Sequence, residues 1–200
     1  MFILTSFKDV IRTPPELFNE DLTTTISQFL NEKFANKVVA NVGLCVCLFD
    51  IEAKDNPYIF PGDGGAHTKV DFRFVVFRPF IEEIIVGKVK NCSKEGVHVT
   101  LGFFDDIFIP ANSLQHPSRF EEVEQVWVWE YDNNGEKHDL FMDQGEPVRF
   151  RVVSETFVET SPVTNEGELQ KEKTSNDTPY SITATINEPG LGLLTWWEGS

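Results

Sequence analysis

Residues 87–114 read GKVKNCSKEGVHVTLGFFDDIFIPANSL. Gly87 and Val89 open a bent strand, and Gly96 makes a turn. Val97 and Val99 then point inward while His98 and Thr100 face out, the period-two alternation of a half-buried strand. Lys88, Lys90 and Lys94, set against Glu95, give this stretch local positive charge. Gly102 precedes two aromatics, Phe103 and Phe104. The pattern predicts strand, turn and strand of a small β-barrel carrying basic and aromatic side chains.

The rest of the chain from Ile81 onward supports a barrel. Short strands are predicted over Ile84–Lys90, Val97–Leu101, Ile107–Pro110, Val126–Tyr131, Val148–Ser154 and Tyr180–Ile186. Such a series of short strands with turns suits a closed β architecture. Residues 156–179 are rich in Ser, Thr, Asn and Glu with almost no large apolar side chains, which predicts a mobile acidic insertion. The tail, residues 188–197, returns to apolar residues and carries Trp196-Trp197, which is expected to pack on the barrel or on a partner, since two exposed adjacent tryptophans would be a liability.

Upstream, the periodicity differs. Phe2–Phe7 reads as a short strand, and Pro14-Pro15 blocks further pairing. Asn19 or Asp21 can cap a helix through Phe34, whose apolar stripe is Leu22, Ile26, Phe29, Leu30 and Phe34. Val38–Ile51 reads as a long strand with Gly43 as a bulge or close-packing point. Val70–Phe80 is the next strand, with Val70, Phe72, Phe74 and Val76 on one face. Between them Pro61-Gly62-Asp63-Gly64-Gly65 is a hairpin-like loop with a projecting tip, where glycine permits positive φ and close approach of another chain. The expected class is α+β: a small α+β domain over residues 1–80, then a β-barrel domain over 81–200.

Charge limits the function classes. The chain of 200 residues carries a net charge of −15. Residues 1–80 hold 8 Lys/Arg against 10 Asp/Glu, and residues 81–200 hold 9 against 22. A protein that coats nucleic acid through a basic surface is excluded. Cys45, Cys47 and Cys92 sit sparsely in apolar runs, which fits a reducing compartment and no disulfide framework. The N-terminus lacks a secretory pattern, and no apolar run approaches the roughly 18 residues of a membrane span, so a soluble intracellular protein without membrane contact is expected.

Candidate chemistry is thin. Asp105-Asp106 lacks the partner and pocket that general acid–base work needs. Cys45 and Cys47, at spacing two on a strand, should point the same way, but no second Cys/His pair completes a zinc site; they read as small buried hydrophobes. His67, His98, His116 and His138 form no ligand set. Gly62–Lys69 departs from a phosphate-binding loop because its lysine is misplaced. No metal, cofactor or catalytic residue is expected, and so no enzyme acting alone.

The 87–114 segment resembles the OB domain repeated in ribosomal protein S-one and its relatives, although Phe103-Phe104-Asp105-Asp106 replaces the usual glycine-containing hairpin. More of the chain is similar to the large stalk subunit of archaeal and eukaryotic RNA polymerases. Pro14-Pro15, the Leu22–Phe34 helix, Asn41-Val42-Gly43-Leu44 and the Pro61–Gly65 loop look like that family's RNP-like tip domain, which precedes an OB domain. Residues 102–107, the run Gln125–Tyr131, and Glu188–Leu194 followed by Trp196-Trp197 resemble the RNA polymerase III version.

The resemblance implies a nuclear, non-catalytic subunit that pairs with a small helical subunit, docks on the polymerase III core and serves initiation at small RNA genes alongside initiation factors. Carried over by position, Gly62, Asp63, Gly64, Gly65, His67 and Lys69 would form a core-docking loop. Lys88, Lys90, Lys94, His98, Phe103 and Phe104 would be candidates to face nascent single-stranded RNA, each stacked base contributing about 1–3 kcal/mol. Phe103 and Phe104 can each serve as a platform or as barrel filling, and the sequence does not separate the two uses. A free-standing RNA-binding module of translation or RNA decay is the alternative; it requires salt-dependent affinity from the isolated chain.

Overall fold

A computed structural model describes residues 1–133, 136–158 and 178–197, and the chain divides into two compact units, Met1–Pro79 and Phe80–Ser200. The first is an antiparallel sheet with one helix on it. Its outer strand β1 (Phe2–Thr13) runs well past Phe7, because each of its residues pairs with β5 (Ala66–Phe77), from Phe2↔Phe77 to Thr13↔Ala66. Long-range pairing thus overrides the fading apolar signal after Phe7, and the strand stops at Pro14, which has no N–H to give.

Helix α1 (Leu22–Phe34) begins where the Asp21 carboxylate accepts from Thr24 N–H at 2.9 Å, so Asp21 rather than Asn19 is the cap. Ile26 and Leu30 are wholly buried; Leu22, Phe29 and Phe34 pack beside them. Burying Ile26 and Leu30 stabilises the unit by about 1.5–3 kcal/mol each. They meet Val70, Phe72, Phe74 and Val76, the predicted inward face of β5.

The expected strand Val38–Ile51 is two strands, β2 (Lys37–Val39) and β3 (Gly43–Lys54). A turn separates them, with Val42 N–H donating to Val39 O at 3.0 Å and Asn41 at φ +61°. Gly43 is a close-packing point: a Cβ there would lie 2.6 Å from Phe77 O. A short strand β4 (Tyr58–Ile59) pairs with the start of β5, and the main sheet order is β1-β5-β3-β2.

The second unit is built on β6 (Ile84–Ser93), β7 (Gly96–Thr100), β8 (Ile107–Pro110), β12 (Pro147–Phe157) and β13 (Tyr180–Thr185). Their pairing order β13-β8-β7-β6-β12 returns to β13, so the sheet closes into a five-stranded barrel, consistent with an OB fold; β8 and β13 are parallel. Val89, Val97, Val99, Ile107, Phe150 and Ile182 fill it. Gly96 is required by close approach, since a Cβ would stand 2.1 Å from Ile109 O.

Between β8 and β12 lies a separate sheet of β9 (Ser118–Glu121), β10 (Val126–Asn133) and β11 (Glu136–Met142). Neither β9 nor β11 is legible as a strand, because both are largely polar and gain order from pairing with β10. Trp127 of this sheet donates from Nε1 to Ser93 O at 2.9 Å, tying it to the barrel. The last described elements are β14 (Gly192–Leu193), paired with β12, and a single turn over Leu194–Trp196.

Trp196 and Trp197 pack on Trp129 of β10, with ring centroids 5.2 and 6.1 Å away, and Trp197 Nε1 donates to Leu191 O. Strand β12 reaches Phe157, and Val158 N–H donates to Pro179 O at 3.1 Å. Residues 159–177 of the expected acidic insertion lie outside the described residues. Among the described residues no helix is long and apolar enough to cross a membrane.

Candidate docking loop and nucleic-acid face

The loop between β4 and β5 is organised by a carboxylate. Asp63 receives Arg12 Nε at 3.0 and 3.1 Å and Nη2 at 2.8 Å, while its second oxygen lies 2.5 Å from His67 Nε2. Arg12 reaches it because β1 places Arg12 opposite His67. The Arg12 guanidinium first, and His67 second, hold the Asp63 carboxyl down to about 2. Gly65 is a seat for this arginine: a Cβ there would lie 2.9 Å from Arg12 Nε.

His67 also stacks on Tyr58 at 5.9 Å and meets Phe60 edge-on at 5.1 Å. Ile59 and Phe60 are more than half exposed. A neighbouring cleft of about 300 Å³ is walled by Leu17, Phe18, Leu22 and Ile59. Of the six loop positions singled out in the sequence, Asp63, Gly65 and His67 are therefore bound into one network. Gly62 and Gly64 are exposed with φ of +91° and +72°, and Lys69 is exposed on β5. Arg12 and Tyr58 escaped sequence reading because their roles depend on pairings with β5, and Phe60 because its role depends on where His67 stands.

On the barrel, alternation sends Lys88 and Lys90 of β6, His98 and Thr100 of β7, and Phe108 of β8 to the outer side. Lys88 lies opposite Thr100, and His98 opposite Phe108, whose ring is 4.9 Å from the imidazole. Phe108 is a missed member of this face; its signal was the buried pair Ile107 and Ile109 on either side.

Lys90 is ion-paired to Asp105 at 2.9 Å, and Asp105 also accepts from the Thr100 hydroxyl. Thr100 first, then Lys90, lower the Asp105 pKa. Its neighbour Asp106 is shifted upward, by burial and then by the Asp105 charge. Lys94 sits apart, in the β6–β7 turn, paired with Glu122 at 2.7 Å.

The two phenylalanines part company. Phe104 is 5% exposed and packs on Tyr180 at 5.4 Å, so its ring fills the barrel end instead of offering a platform. Phe103 is 47% exposed. The face is thus less basic than its lysine count suggests, with Lys88 the one of the three that makes no ion pair among the described residues.

The cysteine expectation is corrected. β3 shifts register against β5 between Cys45 and Cys47, placing Cys45 opposite Val76 and Cys47 opposite Val75. The extra residue, Val46, turns the two thiols to opposite sides, so Cys45 is buried and Cys47 exposed. Among the described residues no group of His, Cys, Asp and Glu is arranged to hold a metal ion.

Comparison with known proteins covers both units. Residues 8–64 match the SHS2 domain found in the N terminus of Rpb7p/Rpc25p/MJ0397, and residues 83–197 match RNA polymerase III subunit Rpc25. The chain is 55% identical over 204 residues to DNA-directed RNA polymerase III subunit RPC8 of Bos taurus, covering 100% of each. It is 39% identical to RPC8 of Saccharomyces cerevisiae, covering 99% of this chain and 100% of that one. Subunit Rpo7 of Sulfolobus acidocaldarius is 25% identical, with 98% of this chain and 94% of the other aligned. With both units matched and the whole length aligned, the chain belongs to the RNA polymerase III Rpc25 family, whose members are that polymerase's stalk subunits.

Proposed function

We propose that this protein is the large stalk subunit of a nuclear RNA polymerase III. It is an accessory subunit with no catalytic site of its own. It pairs with a small helical subunit, docks on the polymerase core and supports initiation at small RNA genes together with initiation factors. The observation that carries this reading is the end-to-end likeness to RPC8 of Bos taurus, at 55% identity across both units.

Docking is assigned to Gly62–Lys69, the β4–β5 loop tip and the first residues of β5. Three features support it: a tip fixed by Arg12 and His67 on Asp63, exposed Ile59 and Phe60 beside it, and the adjoining apolar cleft. An ordered, partly apolar projection loses little entropy when another surface covers it. RNA contact is a local and secondary role of the outer face of β6, β7 and β8. Lys88, His98, Phe103 and Phe108 supply charge and ring surface, and the net charge of −15 keeps the isolated chain's affinity low.

Replacing the exposed Ile59 and Phe60 by Ser in the full chain, then measuring its retention on polymerase III depleted of its stalk, tests the docking assignment. Loss of retention with unchanged thermal unfolding of the chain is expected. Undiminished retention overturns it.

A further inference from the structure

The outer barrel face holds a carboxylate where an RNA-binding surface would want none. Asp105 lies in the β7–β8 loop with its side chain on the same side as Lys90, 2.9 Å away, both about half exposed. It is not there by default of a flexible loop. The Thr100 hydroxyl donates to it, Gly102 N–H donates to that same hydroxyl at 2.9 Å, and Leu101 N–H donates to Phe104 O at 2.9 Å. Phe104, buried against Tyr180, anchors the loop from below. The loop is built so that a carboxylate stands over a strand lysine.

We propose that Asp105 is a specificity-determining residue of the RNA-facing surface, an internal anion that occupies Lys90 and that a phosphate must displace. This rests on the RNA contact proposed above. Lys88, one period along β6 and not ion-paired among the described residues, is then the lysine that meets phosphate directly. Lys90 becomes available only when the strand brings enough further contacts to compete with Asp105. The device keeps the barrel from holding stray RNA while the polymerase is idle, and it accounts for a basic face embedded in an acidic half.

The test measures binding of a fluorescein-labelled single-stranded RNA of mixed sequence to the full chain across a salt series. Asp105→Asn keeps the shape and can still accept from Thr100. It should tighten binding about two- to fivefold, the range of an exposed ion pair. It should also steepen the log–log salt dependence by about 0.7, one added phosphate contact on a single strand. Lys90→Ala alone should change little, yet should erase the gain when combined with Asp105→Asn. Asp106→Asn removes the same charge next door without touching that pair and should leave the salt slope unchanged.

An Asp105→Asn gain that survives Lys90→Ala, or is matched by Asp106→Asn, overturns the proposal as mere charge removal. A Lys88→Ala loss with no Asp105→Asn effect overturns it while leaving RNA contact standing. Absence of binding in every variant overturns both.

Discussion

Arg12 and Asp63, 51 positions apart, meet as a fork on a carboxylate, Nη2 standing 2.8 Å from Oδ1 and Nε 3.0 Å from it. Substituting Arg12 by Ala should leave the unfolding temperature nearly unchanged, because the pair is on the surface. It should speed amide exchange at Gly62–Gly65 markedly, since the loop tip loses its tether. Hydrogen exchange read by mass spectrometry checks both parts, and unaltered exchange at the tip counts against the fork's role.

The same fork has a pH signature. Asp63 sits at about 2 against an ordinary value of 3.8. A depressed carboxyl stabilises the folded loop fully above the ordinary value, and that contribution is lost as pH falls from about 3.8 through about 2. Carboxyl carbon NMR of Asp63 should show the low midpoint, moving upward in Arg12→Ala. A midpoint at the ordinary value in the unsubstituted chain contradicts the geometry.

Phe103 and Phe104 should separate cleanly. Phe104→Ala empties the barrel end against Tyr180 and should cost about 3–5 kcal/mol of stability. Phe103→Ala, at a half-exposed position, should cost about 1 kcal/mol or less. Urea unfolding of the two variants decides; equal losses would place both rings in the core.

Gly192 is the seat of Trp196. Its φ is +107°, and a Cβ there would lie 2.6 Å from Trp196 Cζ3. Gly192→Ala should displace the indole from Trp129 and destabilise the chain by about 1–3 kcal/mol, as overpacking does. Tryptophan fluorescence should shift with it. An unchanged spectrum and midpoint would mean the tail does not rest on this contact.

One thiol should react fast. Cys47 is exposed, whereas burial raises the Cys45 and Cys92 thiols above their ordinary value and shields them. Maleimide labelling of the native chain followed by peptide mapping should find Cys47 alone modified at early times. Rapid labelling of Cys45 would remove the register shift between them.

What could be read from sequence follows the range of the interactions involved. The α1 stripe and the alternation of Val70, Phe72, Phe74 and Val76 are local, and each stands in the structure where its periodicity put it; the helix cap is local too, and falls on Asp21, one of the two residues the sequence offered. The register shifts of β3 depend on β5, 18 to 31 positions downstream, and no local pattern encodes them. Strand β11 is polar and forms through its ladder with β10.

The sites show the same division. The loop and the strand lysines were legible as residue types. What tunes them was not, because Lys90 and Lys94 find their carboxylates 15 and 28 positions away. Asp63 likewise finds its arginine through a strand pairing.

Affinity purification of the tagged chain from nuclear extract, with identification and quantification of everything that copurifies, tests its place in the polymerase. A polymerase III stalk subunit should bring down the RNA polymerase III core subunits and one small helical protein, the latter in equal amount to the tagged chain. Recovery of the chain without any polymerase subunit, alone or with ribosomal or RNA-decay proteins, would contradict it.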